Sequence, residues 1–504
     1  MSESWPAWLL AAAICAGSTA AGANAPAAVE QRFAQVRKNP LELYAFLLKM
    51  PKGGDLHNHL SGAVYAETYL RAAADDGLCI DLRTRAVVAP PLGSGGDCGP
   101  GVVEAVRTRS DNALLNSLID SLSMRNFVAG QESGHDHFFA TFGKFGPSKA
   151  EHRGEFIAEV VRRAAEQNES YLELMAINGS AANAVGSAAG LSDDFDAARQ
   201  KLLAGGLPDV VEKMRLRVEE QDRGRRTALG CDSQPDSPPC RVTVRYLFEV
   251  LRENPKEHVF AQALAGFLLA ASEPKLVGVN FVQPEDGIVS MRDYRLHMRM
   301  VEFLRRSYPH VHVALHAGEL APGLVPPDGL RFHIRDAVEV AHAERIGHGV
   351  DVMYENDSEG LLNLMKQRRV LVEINLTSND LILGIRGAEH PLPAYRKHGV
   401  PVALSTDDEG VSRGQLTAEY VRAVQAYDLS YTDLKEMVRN SLEYSFLPGE
   451  SYWRDRSYRA PAVACAAAVT AKVCRQFLES NEKARQQREL EDRFQAFEKS
   501  FSSR

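Results

Sequence analysis

The chain has 504 residues, 45% of them hydrophobic and 25% charged, which excludes a disordered, collagenous or membrane-bundle protein on composition alone. Lys and Arg number 58 against 66 Asp and Glu, a net charge of −8, so no bulk basic surface is present to bind nucleic acid. The length accommodates about three domains, or one large α/β barrel with insertions.

Residues 5–16 are almost wholly apolar and run into Ala16-Gly17-Ser18-Thr19-Ala20-Ala21-Gly22-Ala23. That is the layout of a signal-peptide core and an Ala-x-Ala cleavage site, at Ala21-Gly22-Ala23 or, less well because of Pro26, at Ala23-Asn24-Ala25. The run is shorter than the ~20 residues that cross a bilayer, and Ile14 before Cys15 spoils a lipoprotein box. Against export, the preceding segment holds Glu3 and no Lys or Arg; the competing reading is a plain apolar helix. Residues 1–25 are expected to be a signal, leaving a secreted or periplasmic product with no membrane attachment. Losing Cys15 leaves six cysteines in three local couples: Cys79 with Cys98, Cys231 with Cys240, and Cys465 with Cys474. Six cysteines allow 15 pairings, so connectivity stays open, but no C-x-x-C spacing exists for a thiolate metal or redox site. An even count after an export signal points to structural disulfides in an oxidising compartment.

A helix is expected over residues 27–50, within an N-terminal helical segment at 26–50. From there, short runs rich in Val, Ile and Leu recur at residues 54–60, 171–177, 242–248, 276–282, 312–316, 345–349, 370–375 and 400–405. Amphipathic stretches separate most of them, for example residues 156–166, 259–271, 294–307 and 360–367. Eight strand–helix units with right-handed crossovers close into an α/β fold of the (β/α)8 TIM-barrel type, assigned to residues 51–450. Residues 75–130 and 180–240 exceed what a barrel needs and read as insertions after the first and second strands. Residues 451–504 form a helical extension, whose charge-alternating part (479–499) reads as a solvated outer helix.

His57-Asn58-His59 ends the first run. In a strand, residues i and i+2 share a face, so both imidazoles aim into the barrel mouth. The spacing alone is weak, since it recurs at His135/His137 and His310/His312. Position strengthens it: His316 ends the fifth run, His348 the sixth, and Asp407-Asp408 the eighth, and barrel active sites collect at the C-terminal ends of strands. Three histidines and a carboxylate arriving there can converge on one Zn²⁺ with a coordination position left for water. Asp407 and Asp408 would face opposite ways in a regular strand, so the strand must break there, and Glu319 needs the Ala317-Gly318 turn to curl back over the site. His135 to Phe139 reads as core of the first insertion in preference to a pocket wall, and His312, four residues below His316, as a supporting or core residue.

Pro51-Lys52-Gly53-Gly54-Asp55-Leu56-His57-Asn58-His59, His316-Ala317-Gly318-Glu319, Gly347-His348-Gly349 and Thr406-Asp407-Asp408 resemble the adenosine deaminase family over roughly residues 30–450. The Met50-Pro51-Lys52-Gly53 lead-in, the exported start and the cysteine-bearing insertion look most like its secreted, growth-factor-type branch. The resemblance implies a barrel with one zinc per chain, held by His57, His59, His316 and Asp407. It implies that Glu319 protonates the purine ring nitrogen beside the attacked carbon and that His348 is base or orienter of the attacking water. Asp408 would hold that water and the imidazole side of the purine. The implied reaction is deamination of adenosine, or a close aminopurine nucleoside, to inosine and ammonia. Three positions depart from the family pattern: Ser61 stands near the usual ribose-contacting Asp, Gln283 at the usual Gly beside the purine, and Glu409 at a common Pro. Ser61 and Gln283 are expected beside the substrate. The resemblance also implies a homodimer through the N-terminal helix and the first insertion. The alternatives are a related mononuclear amidohydrolase acting on another aminated base, and a secreted nucleoside-binding or signalling protein. A two-metal site is disfavoured, because Val279-Asn280-Phe281-Val282 offers no bridging Lys.

Overall fold

Eight short runs form parallel strands, and the residues between them form the helices that cover the sheet. In the computed structural model, which describes residues 25–149 and 151–502, the strands in chain order are β1 (Gly54–His59), three short strands of an insertion, β2 (Cys79–Asp81), β3 (Ala86–Val88) and β4 (Val102–Glu104), then β5 (Tyr171–Asn178), β6 (Thr243–Leu251), β7 (Leu276–Val282), β8 (His312–Ala317), β9 (Arg345–His348), β10 (Leu371–Ile374) and β11 (Val402–Leu404). The large sheet is parallel in the order β1-β5-β6-β7-β8-β9-β10-β11, a (β/α)8 barrel with all eight expected strands. Every residue of β1, β9, β10 and β11 is buried, as strands covered by helices outside and side chains inside must be.

The last strand does not reach the first by regular pairing. Regular structure ends at Leu404, Asp407 takes a left-handed φ of 58°, and the barrel closes through one isolated bridge between Asn58 and Asp407. The Asp407 N–H donates to His57 O at 2.8 Å and the His59 N–H to Asp407 O at 3.3 Å. Side chains reinforce the seam: Asn58 Nδ2 donates to Thr406 Oγ1 at 2.9 Å, and the Thr406 hydroxyl donates to Asp55 at 2.5 Å.

The signal-peptide reading, with Cys15, falls outside the described residues except for Ala25, which opens the first helix. The expected helix over 27–50 is two helices, Ala25–Val36 and Pro40–Lys49. Pro40 lacks an N–H and favours a helix start, and the Asn39 side chain accepts from the N–H groups of Leu41 and Glu42, so a new helix begins there. The Lys52 ammonium is fully buried and donates to the carbonyls of Leu47, Met50 and Gln167. It thereby caps that helix's free C-terminal carbonyls and docks it beneath β1.

The first insertion is the β3-β2-β4 antiparallel sheet with helices Asn112–Ser121 and Gly134–Thr141; the second carries the long helix Leu207–Leu229. That helix crosses Arg153–Glu166 at glycines: a Cβ on Gly154 would lie 2.6 Å from the Gly224 carbonyl carbon. All three cysteine couples are disulfide-bonded as paired above. The C-terminal extension is two helices, Lys472–Ser480 and Glu482–Lys499, and the second is not merely solvated. Ala484, Leu490 and Phe494 are buried, and Phe497 packs on Phe46 of the N-terminal segment with ring centroids 5.2 Å apart. Charges on one helix face do not reveal that a narrow apolar stripe on the other is covered. Among the described residues no helix is long and apolar enough to cross a membrane.

Arg345 enters the barrel interior from β9 with no exposure. It donates to Glu373 of β10 and Glu173 of β5, both at 2.6 Å, and its guanidinium lies 3.8 Å over the Phe446 ring. Arg345→Met should destabilise the fold by about 3–5 kcal/mol, because two carboxylates lose their buried partner; a denaturant-unfolding midpoint like that of the parent protein would contradict this.

Candidate active site

The side chains marked at the strand ends arrive in one buried cluster. His57 and His59 come from β1, His316 from β8, His348 from the end of β9, Glu319 from just past β8, and Asp407 and Asp408 from the break after β11; all are under a tenth exposed. His57 Nε2 lies 3.5 Å and His59 Nε2 3.4 Å from Asp407 Oδ1, and His59 Nε2 lies 3.1 Å from His316 Nε2. Four donors bonded tetrahedrally to zinc at ~2.0–2.1 Å stand about 3.3 Å apart, and these three separations are of that order. The opposite ring nitrogens are already engaged. His57 Nδ1 meets Glu373 at 2.7 Å, His316 Nδ1 meets Asn280 Oδ1 at 2.9 Å, and His59 Nδ1 faces Glu249 at 3.5 Å. An acceptor behind Nδ1 leaves the Nε2 lone pair pointing inward, the usual backing of a metal-ligating imidazole. Among the described residues, buried His57 Nε2 makes no hydrogen bond. His348 also lies within reach, its Nε2 3.9 Å from Asp407 Oδ2, and two overlapping groups could hold an ion: His57, His316, His348 and Asp407, or His59, Asp407 and Asp408.

The carboxyl groups divide by environment. Burial pushes Asp407 up, but the close approach of His57 and the charges of the neighbouring histidines outweigh this and hold it well below the usual carboxylate range. Burial first, and the charges of Asp407 and Glu285 next, push Glu319 far upward; burial and the charge of Asp407 do the same to Asp408. The site thus pairs a carboxyl whose pKa is held down with two whose pKa values are pushed up, a division that assigns acid–base roles in enzymes.

Small residues make the geometry admissible. A Cβ on Gly62 would fall 1.7 Å from Asp408 Oδ1, so only glycine lets that carboxyl point inward. Gly318 supplies the turn that carries Glu319 back over the cluster, at φ +74° with Asp351 and Ile334 packed against it. Gly347 makes room for the His57 ring, 2.5 Å from where its Cβ would sit.

A cavity of about 400 Å³ opens from the cluster, lined by Phe138, Phe139, Phe142 and Phe156 together with Ser61, Arg153 and Gln283. The segment at 135–139 is therefore a wall of the cavity and not only core: one helix face carries Phe138, Phe139 and Phe142 inward. Its histidines turn away, His135 to Asp286 at 2.9 Å and His137 to Glu132 at 2.8 Å. Gln283 has φ +84°, which explains why glycine suits this position; its side chain is exposed and accepts from the Glu253 N–H at 3.0 Å. Ser61 lines the cavity, its carbonyl accepting from the Tyr69 hydroxyl at 2.7 Å. Glu409 instead binds Arg163 at 2.9 Å, so its departure from the family pattern bears on the scaffold and not on the base. His312 pairs with Glu344 at the far end of β8. Glu373, Asn280, Glu249 and Gly62 escaped the sequence reading. The one available signal was a carboxylate inside the apolar run Val370-Leu371-Val372-Glu373-Ile374, where an unpaired charge would be costly.

The class is thus a (β/α)8 barrel whose C-terminal mouth gathers a histidine–aspartate cluster able to hold a metal ion beneath an aromatic cavity. The profile of the adenosine deaminase family matches residues 96–454, and the chain belongs to that family; β1, with His57 and His59, precedes the matched stretch. An adenosine deaminase from Clostridium perfringens is 31% identical over 205 residues, 40% of this chain and 52% of that protein. One from Enterococcus faecalis is 33% identical over 245 residues, 48% and 61% of the two chains. The chain spans about half the length of these curated relatives. Among solved structures, adenine deaminase from Arthrobacter aurescens shares 17% identity at a TM-score of 0.52, covering 79% of this chain and 94% of that one. Arabidopsis ADAL complexed with GMP shares 20% at 0.52, covering 80% and 94%. These two likenesses are of fold.

Glu373→Gln should weaken divalent-metal binding about 10–100-fold, because the amide no longer holds the His57 tautomer as the carboxylate does; a chelator competition showing unchanged affinity would remove Glu373 from the site.

Proposed function

We propose that the protein is an exported, zinc-dependent hydrolytic deaminase that converts adenosine, or a close aminopurine nucleoside, to inosine and ammonia. One observation carries this reading. In a member of the adenosine deaminase family, His57 Nε2 and His59 Nε2 lie 3.5 and 3.4 Å from Asp407 Oδ1 and His59 Nε2 lies 3.1 Å from His316 Nε2, spacings suited to ligands of one metal, with Glu319 and Asp408 beside them. Three imidazoles and a carboxylate suit zinc, which when bound polarises water and makes hydroxide available at neutral pH.

The chain's own groups supply the rest. Phe138, Phe139 and Phe142 take the face of a neutral purine, which needs no counter-charge. Glu319, protonated by its buried setting, donates to the ring nitrogen beside C6, and Asp408 donates to the imidazole side of the base. Oxygen adds to C6, a tetrahedral carbon forms, and the C–N bond breaks. Of the two protons of the water, one ends on the ring nitrogen and one on the departing ammonia.

Three disulfides and the apolar N-terminal run support an extracytoplasmic location, in keeping with the growth-factor-type resemblance. A second reading of the substrate comes from Arg153, which lines the cavity and, among the described residues, bonds only to neutral oxygens of Gln221 and Ala176; a nucleoside monophosphate would give it an anionic partner. Homodimerisation through the N-terminal helices and first insertion is checked by sedimentation.

Incubation with adenosine, other aminopurine nucleosides and their monophosphates, with ammonia measured, decides among these readings. Release from the nucleosides is expected, release confined to the monophosphates transfers the role to Arg153, and no release from any leaves a binding protein. Glu319→Gln should retain about one zinc per chain yet lower kcat by several orders of magnitude, on the order of 10³-fold or more; a near-parental rate ends the proton-donor assignment.

A further inference from the structure

His348 differs from the other histidines of the cluster in what stands behind it. His57 and His316 have acceptor oxygens within 2.9 Å of Nδ1 and His59 faces Glu249 at 3.5 Å, whereas the nearest partner of His348 Nδ1 is the side-chain nitrogen of Asn379 at 2.9 Å, with that of Asn375 at 3.5 Å and Glu319 Oε1 at 3.6 Å. The direction of these bonds follows from a peptide group. The Leu392 N–H, which can only donate, points at His390 Nδ1 at 3.1 Å. A ring nitrogen that accepts carries no proton, so His390 is neutral with its hydrogen on Nε2. That Nε2–H lies 3.1 Å from Asn379 Oδ1, which sets the amide so that its NH2 faces His348. His348 Nδ1 then accepts, and its proton stands on Nε2. The chain is sealed from water: Asn379 and His348 have no exposure and His390 only 2%, and burial lowers the pKa of His390 to about 4. His348 Nε2 itself is buried, makes no hydrogen bond among the described residues, and faces the cluster.

We propose that Asn379 and His390 are positioning residues that lock His348 as the Nε2–H tautomer, so that it meets the attacking oxygen as a hydrogen-bond donor and not as the general base. This deepens the proposed deaminase reading and rests on it for the identity of that oxygen. An imidazole whose inward nitrogen carries hydrogen has no lone pair there for a metal or a proton. The donor set is thereby narrowed to His57, His59, His316 and Asp407, and proton traffic is left to Glu319 and Asp408. The N–H instead holds the oxygen in line with C6 and stabilises the charge that gathers on it as the bond forms.

The test uses the full-length holoprotein labelled with 15N-histidine. Long-range 1H–15N spectra distinguish the two neutral tautomers and the imidazolium, and His348→Gln assigns the His348 signals by their loss. His348 and His390 are both expected as Nε2–H forms; an Nδ1–H or doubly protonated His348 overturns the lock. Asn379→Asp replaces the donor by a carboxylate that can only accept, and should flip His348 to Nδ1–H. With that flip, kcat should fall on the order of 10²–10⁴-fold while KM and bound zinc change little, the behaviour of a wrong tautomer. A flipped His348 with parental kcat refutes the donor role. His390→Gln, whose amide still donates to Asn379, should keep the Nε2–H form and kcat within about fivefold. The parent spectrum requires no variant to fold and no substrate to turn over. Absence of ammonia release would therefore sink the deaminase reading without touching the tautomer result.

Discussion

The seam between the first and last strands is the constraint on which the site depends. Asp407 closes the barrel with its backbone, through His57 and His59, and aims its carboxylate at the same two residues' imidazoles. Its left-handed backbone at φ 58° lets one residue serve both purposes and lets Asp408, next in the chain, also face inward. Closing the barrel and assembling the cluster are thus one event. The position where regular pairing fails is the position where donor atoms become free to converge, in keeping with the concentration of strain at functional sites.

A second dependence runs down the barrel axis. Arg345 holds Glu373 and Glu173 where none of the three side chains is exposed, and Glu373 in turn holds the His57 ring. Removing any member leaves a buried charge unmatched, so each is specified by the others. The charges of the barrel interior therefore orient an imidazole whose other nitrogen points into the cluster, and the packing of the lower barrel sets the tautomer of a group at its mouth. On the other side of the mouth, the Leu392–His390–Asn379 bonds do the same for His348 with the opposite polarity. Two histidines alike in sequence context are made chemically different by what stands behind them.

The insertions act on what enters. The first places a helix across the mouth whose phenylalanines form the cavity wall, while its histidines are spent on surface carboxylates. The second packs its long helix against Arg153–Glu166, and Gln221 from that helix holds Arg153 at the rim. Ser61 and Gln283 both line the cavity, the Gln283 side-chain oxygen accepts from the Glu253 N–H, and Glu409 belongs to the scaffold.

The sequence by itself determined the eight strands, their order and the residues at their ends, because a strand, its turn and its terminal His or Asp are contiguous and follow a period of two. It also supported the three cysteine couples, each closing a short loop. It misjudged the terminal helices, where Pro40 and the capping of Asn39 break one helix into two and where a charged face hid a buried stripe. Only the tertiary structure decided which partner stands behind each histidine, why Gly62 must lack a side chain, and that Phe138 and its neighbours face the cavity. The physical reason is separation: His57 and Glu373 are 316 residues apart, and no local periodicity encodes a contact that exists only once the barrel has closed.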